Sequence, residues 1–139
     1  MANDGIQAAL EDWNRRITAK AHAVVLAADR GNMKAAFYCE NEAKKNAVRE
    51  IYSIPIKKSP KTGKDLWKRT ALYKAGIGSG VHPSLAHTAM IYASVPYAKW
   101  LEYGTSKNPK ALYILTNAVM KNRAAINRLI AQAIGGVTG

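Results

Sequence analysis

Residues 4–28, DGIQAALEDWNRRITAKAHAVVLAA, decide how the fold begins. Their apolar side chains recur at spacings of three and four, the period of a single stripe on an α-helix. The stripe consists of Ile6, Leu10, Trp13, Ile17, Ala21, Val24 and Ala28. Asp4 precedes the stripe and is placed to cap the first turn. The sequence therefore predicts an amino-terminal helix with one apolar face.

A second helical pattern runs from Met33 to Ile51. Gly31 separates the two patterns, and glycine costs a helix interior about 1 kcal/mol relative to alanine. The sequence leaves open whether the helix ends there or is only weakened. A continuous helical region over 4–52 would extend roughly 70 Å. A rod of that length in a 139-residue chain would need partner subunits to cover its stripe.

The middle of the chain changes character twice. Residues 53–65 combine two prolines, a glycine and four lysines, which predicts an exposed basic Pro/Gly loop. Residues 66–105 predict a small antiparallel sheet and a corner, with strand candidates at 69–77 and 87–94. The glycines at 76, 78 and 80 are interpreted as turn residues between these strands.

The last third of the chain predicts two more helices. A short helix starts at Pro96 and is stopped by Gly104. Residues 109–134 form the carboxy-terminal helix, and residues 135–139 are expected to fray. The whole chain, 1–139, is therefore expected to be a single α+β domain: a long amino-terminal helical region, a small antiparallel sheet and a carboxy-terminal helix.

The charge of the chain is strongly basic and unevenly placed. Lys and Arg number 21 against nine Asp and Glu, a net charge of +12. Residues 44–74 hold ten of the basic residues and two acidic ones. Such a surface attracts polyanions whatever its fold. The alternative, a solvated lysine-rich face that only keeps the protein soluble, is left equally open.

The residues available for catalysis are few. A single cysteine, Cys39, excludes an internal disulfide, and a buried inert thiol is the favoured interpretation. His82 and His87 have neither a nearby carboxylate nor a cysteine, so no metal site is expected. No enzyme activity and no cofactor are predicted. The longest apolar run is too short for a membrane span, and no signal peptide begins the chain, so a soluble cytosolic protein is expected.

A cluster of aromatic residues marks the corner region: Tyr92, Tyr97, Trp100, Tyr103 and Tyr113. A base-stacking surface requires basic residues between the aromatic ones, and few basic residues alternate with them here. Tyrosine and tryptophan are enriched at protein interfaces. A subunit interface is therefore favoured over nucleobase stacking.

The corner itself, residues 92–105 (YASVPYAKWLEYGT), resembles the "Tyr-Ala … Glu, aromatic, Gly-Thr" signature of the neck or tail-completion proteins of long-tailed bacteriophages. The order of the other parts is similar to that family over residues 5–132. A long helix comes first, and a Pro … Thr-Gly … Leu segment, strands, the corner, a proline-containing loop and a last helix follow. The matching residues outside the corner are Pro55, Thr62, Gly63, Leu66 and Pro109.

The resemblance implies a structural virion protein in the neck or tail, assembled in the host cytoplasm. Such a protein forms a homo-oligomeric ring, expected to be hexameric, between the head connector or stopper and the tail proteins. Genomic DNA passes through its lumen without sequence-specific contacts, and no membrane is involved. The residues expected at the subunit interface are Tyr97, Trp100, Glu102, Tyr103, Gly104 and Thr105; those expected to face DNA are Lys57, Lys58, Lys61, Lys64, Lys68 and Arg69.

Two residues of the corner carry further expectations. Gly104 is expected to allow a backbone turn that a β-carbon would forbid. Glu102, nearly the only acid in the second half of the chain, is expected to pair with a lysine or arginine within or across subunits. The main alternative function is a stand-alone basic nucleic-acid-binding protein such as a small regulator. That alternative accounts for the charge but not for the corner, and no helix-turn-helix signature supports it.

Overall fold

The computed structural model describes residues 2–53, 58–64, 72–107 and 109–138. The fold is α+β, with a long amino-terminal helix, one two-stranded antiparallel sheet and helices at the carboxy-terminal end. The elements are α1 (Ala2–Ala47), which continues into a π-helical turn (Val48–Tyr52), α2 (Leu72–Ala75), β1 (Ile77–Val81), β2 (Ala89–Ala93), α3 (Ala98–Tyr103), α4 (Ile114–Met120) and α5 (Arg123–Thr138).

Helix α1 is continuous through Gly31, and with the π-helical turn it confirms the long helical region predicted over 4–52. Its 46 residues extend about 69 Å. The expected cap is wrong in detail, because the helix already begins at Ala2 and Asp4 lies within its first turn. A carboxylate there still interacts favourably with the amino-terminal end of the helix dipole.

Helices α4 and α5 pack along the second half of α1 and run antiparallel to it. Near the end of α1, the Asn46 side-chain amide donates to the carbonyl of Ile114, 3.1 Å away. Farther back along α1, a β-carbon on Gly31 would lie 2.9 Å from the Ile130 Cα and 3.1 Å from the Ala133 Cβ. The buried side of α1 is built mostly of small residues, which lets these helices approach closely: Ala27, Gly31, Ala35, Ala36, Cys39, Ala43 and Ala47.

The carboxy-terminal helix differs from the prediction at its start, in its middle and at its end. The first helical residue is Ile114 rather than residue 109. Residues 109–134 were expected to form one helix, but the chain turns at 121–122 and separates α4 from α5. Asn122 makes this turn locally, since its side-chain amide donates to the carbonyl of Ala118. The tail expected to fray is helical through Thr138.

The sheet is an antiparallel hairpin, as predicted, but its first strand lies later in the chain. Strand β1 pairs with β2 from Ile77 opposite Ala93 to Val81 opposite Ala89. Of the predicted strand 69–77, residues 72–75 are helical and 69–71 lie outside the described residues. The interpretation of the glycines as turn residues holds for Gly76 alone. Gly78 and Gly80 are strand residues.

The strand accepts glycine because its partner strand carries a large residue. Gly78 lies directly opposite Tyr92, and a β-carbon on this glycine would come within 2.6 Å of the tyrosine hydroxyl oxygen. The sheet contacts α1, so the hairpin covers part of the side of α1 that α4 and α5 leave open.

The core lies where α1, α2, the sheet and α4 meet. Its buried members are Ala43, Ala47, Tyr73, Ile77, Ile114 and Ala118. Tyr73 is 2% exposed, and its hydroxyl has no hydrogen-bond partner among the described residues. Burial, with a smaller contribution from the neighbouring Glu102 carboxylate, raises the pKa of Tyr73 well above its usual value.

Replacing Tyr73 by phenylalanine should therefore stabilise the protein at neutral pH, by about 1 kcal/mol, because a buried hydroxyl without a partner is removed. Above pH 10, the free energy of unfolding should also fall more steeply with pH for the wild type than for the phenylalanine variant. The unfolded chain releases the Tyr73 proton near its usual pKa of about 10, whereas the folded chain retains it. Urea titrations at pH 8 and pH 10.5 measure both effects. Tyr103→Phe, at a side chain that is 68% exposed, is the control and should change neither.

Candidate subunit interface and basic loop

The corner presents an exposed aromatic surface. Helix α3 carries Trp100 and Tyr103, which are 53% and 68% exposed, and Tyr97 precedes it at 36%. The Lys99 ammonium lies 5.7 Å from the centre of the Trp100 ring, within cation–π distance. These three aromatic side chains, named the aromatic rim below, are the part of the predicted interface that is available to another molecule.

Glu102 occupies the opposite, inward side of the same short helix. It is 5% exposed, and its two carboxylate oxygens accept hydrogen bonds from the backbone N–H groups of Leu115 and Thr116, at 3.0 and 2.7 Å. Those amides belong to the first turn of α4, where helix N–H groups lack intrahelical partners. Within the described part of this chain Glu102 has no lysine or arginine partner, and its carboxylate caps α4 instead. The expected pair across subunits stays a prediction.

Gly104 ends α3 in a conformation that requires glycine. Its φ of 79° and ψ of 179° lie in a region that side chains with a β-carbon essentially never adopt. Its N–H donates to the carbonyl of Trp100, which closes the last turn of the helix. The expectation of a turn that excludes a β-carbon is confirmed, and Thr105 follows it half-buried. Glu102 therefore faces inwards, and Gly104 sets the turn that ends α3.

The described part of the basic loop, residues 58–64, is a tight turn held by its own backbone. The Gly63 N–H donates to the carbonyl of Ser59, and the Ser59 N–H to the carbonyl of Lys64. Lys58, Lys61 and Lys64 are exposed on this turn, and none of them forms an ion pair with a described acidic residue. The other expected DNA-facing residues, Lys57, Lys68 and Arg69, lie outside the described residues. Residues 55 and 66, which match the family resemblance, lie outside them as well.

A second apolar surface lies on the first part of α1. Residues 4–22, named the arm below, are exposed except for the half-buried Asp12. Four large apolar side chains of the arm are 46–62% exposed: Ile6, Leu10, Trp13 and Ile17. The sequence indicated that the stripe would need a cover but did not include these residues in the interface. The signal was the predicted length of the helical region over 4–52, roughly 70 Å, which is too long for the rest of a 139-residue chain to cover.

An open groove lies between α1, β2, α4 and α5 and has a volume of about 320 Å³. Its floor is apolar, and one end carries the polar groups of Asn32, His87 and Thr88. At that end the His87 Nδ1 lies 3.0 Å from a carboxylate oxygen of Asp29, so the expectation that His87 has no nearby carboxylate is wrong. The Asn32 amide donates to the His87 carbonyl. The apolar lining of this feature, named the α1–α5 groove below, includes Ala35, Ala36, Met90, Ile91, Val119 and Ile130.

Cys39 is buried, and burial raises the pKa of its thiol, with a further contribution from Glu42. No group of three or more His, Cys, Asp or Glu residues within the described ranges is placed to hold a metal ion. None of the described helices is both long and apolar enough to cross a bilayer.

Comparison with protein-family models, curated proteins and solved structures finds no match to this chain.

Proposed function

We propose that this chain is a structural virion protein of the phage neck or tail, a tail-completion component that assembles into a homo-oligomeric ring at the head–tail junction. DNA passes through the lumen of the ring without sequence-specific contacts. The ring is proposed to be hexameric and to lie between the head connector or stopper and the tail proteins. No enzyme activity belongs to this proposal.

The observation that carries the proposal is the exposed apolar stripe of the arm. Trp13, Leu10 and their neighbours on the stripe keep about half of their surface in water. A contiguous apolar patch of several hundred Å² on a soluble chain is typical of a protein–protein interaction site. An arm that extends beyond its own core is a feature of a subunit that is completed by assembly.

The aromatic rim supports the same conclusion from a separate part of the surface. A chain with two distinct apolar faces can use one on each side in a head-to-tail contact, and such contacts form a ring where the rotation between copies closes. The order of elements agrees with that expected from the resemblance: a long helix, a hairpin, the corner and the carboxy-terminal helices.

Negative-stain electron microscopy of the purified protein tests the ring directly. Class averages with rotational symmetry and a central opening wide enough for duplex DNA are the expected result. Compact particles without an opening, at concentrations where the protein is oligomeric, would contradict the proposal.

The basic turn is proposed to face the DNA. Replacing Lys58, Lys61 and Lys64 together by glutamine should flatten the dependence of log K on log salt for random duplex DNA by about 2–3 units, since each phosphate contact contributes about 0.9. Fluorescence anisotropy over a salt series measures this slope. The matched control removes three positive charges from the arm, at Arg15, Arg16 and Lys20. An equal loss of slope in the control would show that DNA binding depends only on the net charge of the chain, and it would contradict a DNA-facing role of the basic turn.

The net charge of +12 also favours a second candidate, a stand-alone nucleic-acid-binding protein. That candidate predicts a steep salt dependence of DNA affinity in a protein that remains monomeric or dimeric. Both candidates predict that the protein binds DNA, but they predict different native masses for it.

A further inference from the structure

The arm and the α1–α5 groove are two open apolar features of one chain, and they lie at a fixed distance from each other. The groove is lined on α1 by residues 32–39, and Trp13 is on the same uninterrupted helix. The 22 residues between Trp13 and Ala35 place them about 33 Å apart. The arm therefore cannot reach the groove of its own chain, so any contact between the two joins different copies.

We propose that the arm of one copy docks into the α1–α5 groove of a second copy, with Trp13 as the side chain that enters it. This inference rests on the proposed homo-oligomer and specifies the contact that builds it. It assigns the arm to a groove of a neighbour rather than to another arm.

The size and chemistry of the groove fit an aromatic side chain. A dry apolar cavity of about 150 Å³ accommodates benzene, and this groove is roughly twice that volume and open on one side. Tryptophan presents a large apolar ring together with one N–H donor that needs a polar partner. The groove provides an apolar floor from Ala36 to Ile130 and polar atoms at the Asn32 end.

The length of the stripe argues against two arms pairing with each other. From Ile6 to Ala21 the exposed stripe spans little more than two heptads, and a coiled coil requires about three to four. Docking against a body adds the walls of the groove and the surface around it.

The distribution of charge also favours a contact between an arm and a body. The arm contains three acidic residues (Asp4, Glu11, Asp12) and three basic ones (Arg15, Arg16, Lys20), so its net charge is zero. The whole charge of +12 is thus carried by the rest of the chain. Two bodies repel each other, whereas a neutral arm approaches a basic body at little electrostatic cost.

Site-specific cross-linking tests the contact. In a Cys39→Ala background, one sample carries Ile17→Cys and a second carries Val119→Cys, at a position that lines the groove and is 37% exposed. The two samples are mixed and treated with a short bis-maleimide. A covalent dimer that joins positions 17 and 119, mapped by mass spectrometry, is the expected product. Adding Trp13→Ala to the Ile17→Cys chain should lower the yield of this covalent dimer at least tenfold.

The matched control moves the thiol to the opposite face of the arm. Arg15→Cys lies about 160° around the helix from Ile17→Cys and should yield little product with Val119→Cys. Equal yields from both positions would overturn the proposal. A product that joins position 17 to position 17, without any 17–119 product, would overturn it in favour of paired arms.

Light scattering on the same samples separates this proposal from the proposed function. An oligomer without the 17–119 product overturns the docking contact and leaves the ring standing. A 17–119 product in a protein that forms only open chains supports the contact and contradicts the ring. A protein that stays monomeric at all concentrations, without cross-links, overturns both.

Discussion

Replacing Gly31 by valine should destabilise the protein by about 2–3 kcal/mol, although glycine is normally the weaker residue in a helix. The site leaves no room for a side chain, because the first added carbon would lie 2.9 Å from the backbone of Ile130. Backbone cannot move aside as the end of a side chain can, so α5 must shift away from α1. Overpacking of this kind costs about 1–3 kcal/mol, and occasionally more.

A pair of alanine variants isolates this effect. Gly31→Ala and Gly5→Ala make the same chemical change in the same helix, and a β-carbon at Gly5 meets nothing within 4 Å. Helix propensity favours alanine over glycine by up to about 1 kcal/mol. Gly5→Ala should therefore be neutral or stabilising and Gly31→Ala destabilising, as measured by urea denaturation. Equal stabilisation of both would show that α5 does not cross α1 at this residue.

Replacing Glu102 by alanine should cost about 3 kcal/mol. The substitution removes the carboxylate that accepts from the amides of Leu115 and Thr116, both in part-buried hydrogen bonds. Hydrogen bonds to a charged group contribute about 1.5–3 kcal/mol each. Glu102→Gln retains one acceptor oxygen but turns its NH₂ group towards the other amide, so about half of this loss is expected. Chemical denaturation of both variants measures the two values.

The control for Glu102 is an acid that only forms an exposed pair. Glu50 lies beside Arg49, with 3.3 Å between the Arg49 Nε and the carboxylate, and both side chains are well exposed. Glu50→Gln should change the free energy of unfolding by less than about 0.5 kcal/mol. A similar small effect of Glu102→Ala would contradict the helix cap. A loss of assembly in Glu102→Gln without a loss of stability would instead place this residue at the interface.

Local periodicity predicted the helical part of the fold well. The stripe from Ile6 to Ala28 is a property of neighbouring residues, and α1 follows it. The continuity through Gly31 was left open because its reason is not local: α5, about a hundred residues later in the chain, lies against it. The break between α4 and α5 has no proline or glycine to mark it, and Asn122 stabilises it through a bond visible only in the structure.

The sheet was harder to predict, for a physical reason that Gly78 illustrates. Glycine has low strand propensity, so the sequence favoured a turn. In the structure Gly78 lies opposite Tyr92, whose side chain covers it, and this cross-strand contact depends on the register of the two strands. The predicted second strand, 87–94, contains β2, since its branched and aromatic residues carry the signal themselves.

The candidate site was predicted in part. The aromatic rim is exposed, as an interface requires, and Lys58, Lys61 and Lys64 are exposed on the basic turn. The role of Glu102 was not foreseen, because its partners are backbone amides, which no sequence pattern displays. The α1–α5 groove was also missed, since four separate elements have to meet before it exists.

Light scattering of the purified protein, over a concentration series at low and high salt, tests the central claim most directly. A closed ring predicts one discrete mass that does not change with salt, because apolar contacts of the arm and the rim hold it together. Six copies of the 15.1 kDa chain would give about 90 kDa. A protein that remains a 15 kDa monomer at every concentration and salt would contradict the ring and leave the stand-alone nucleic-acid binder.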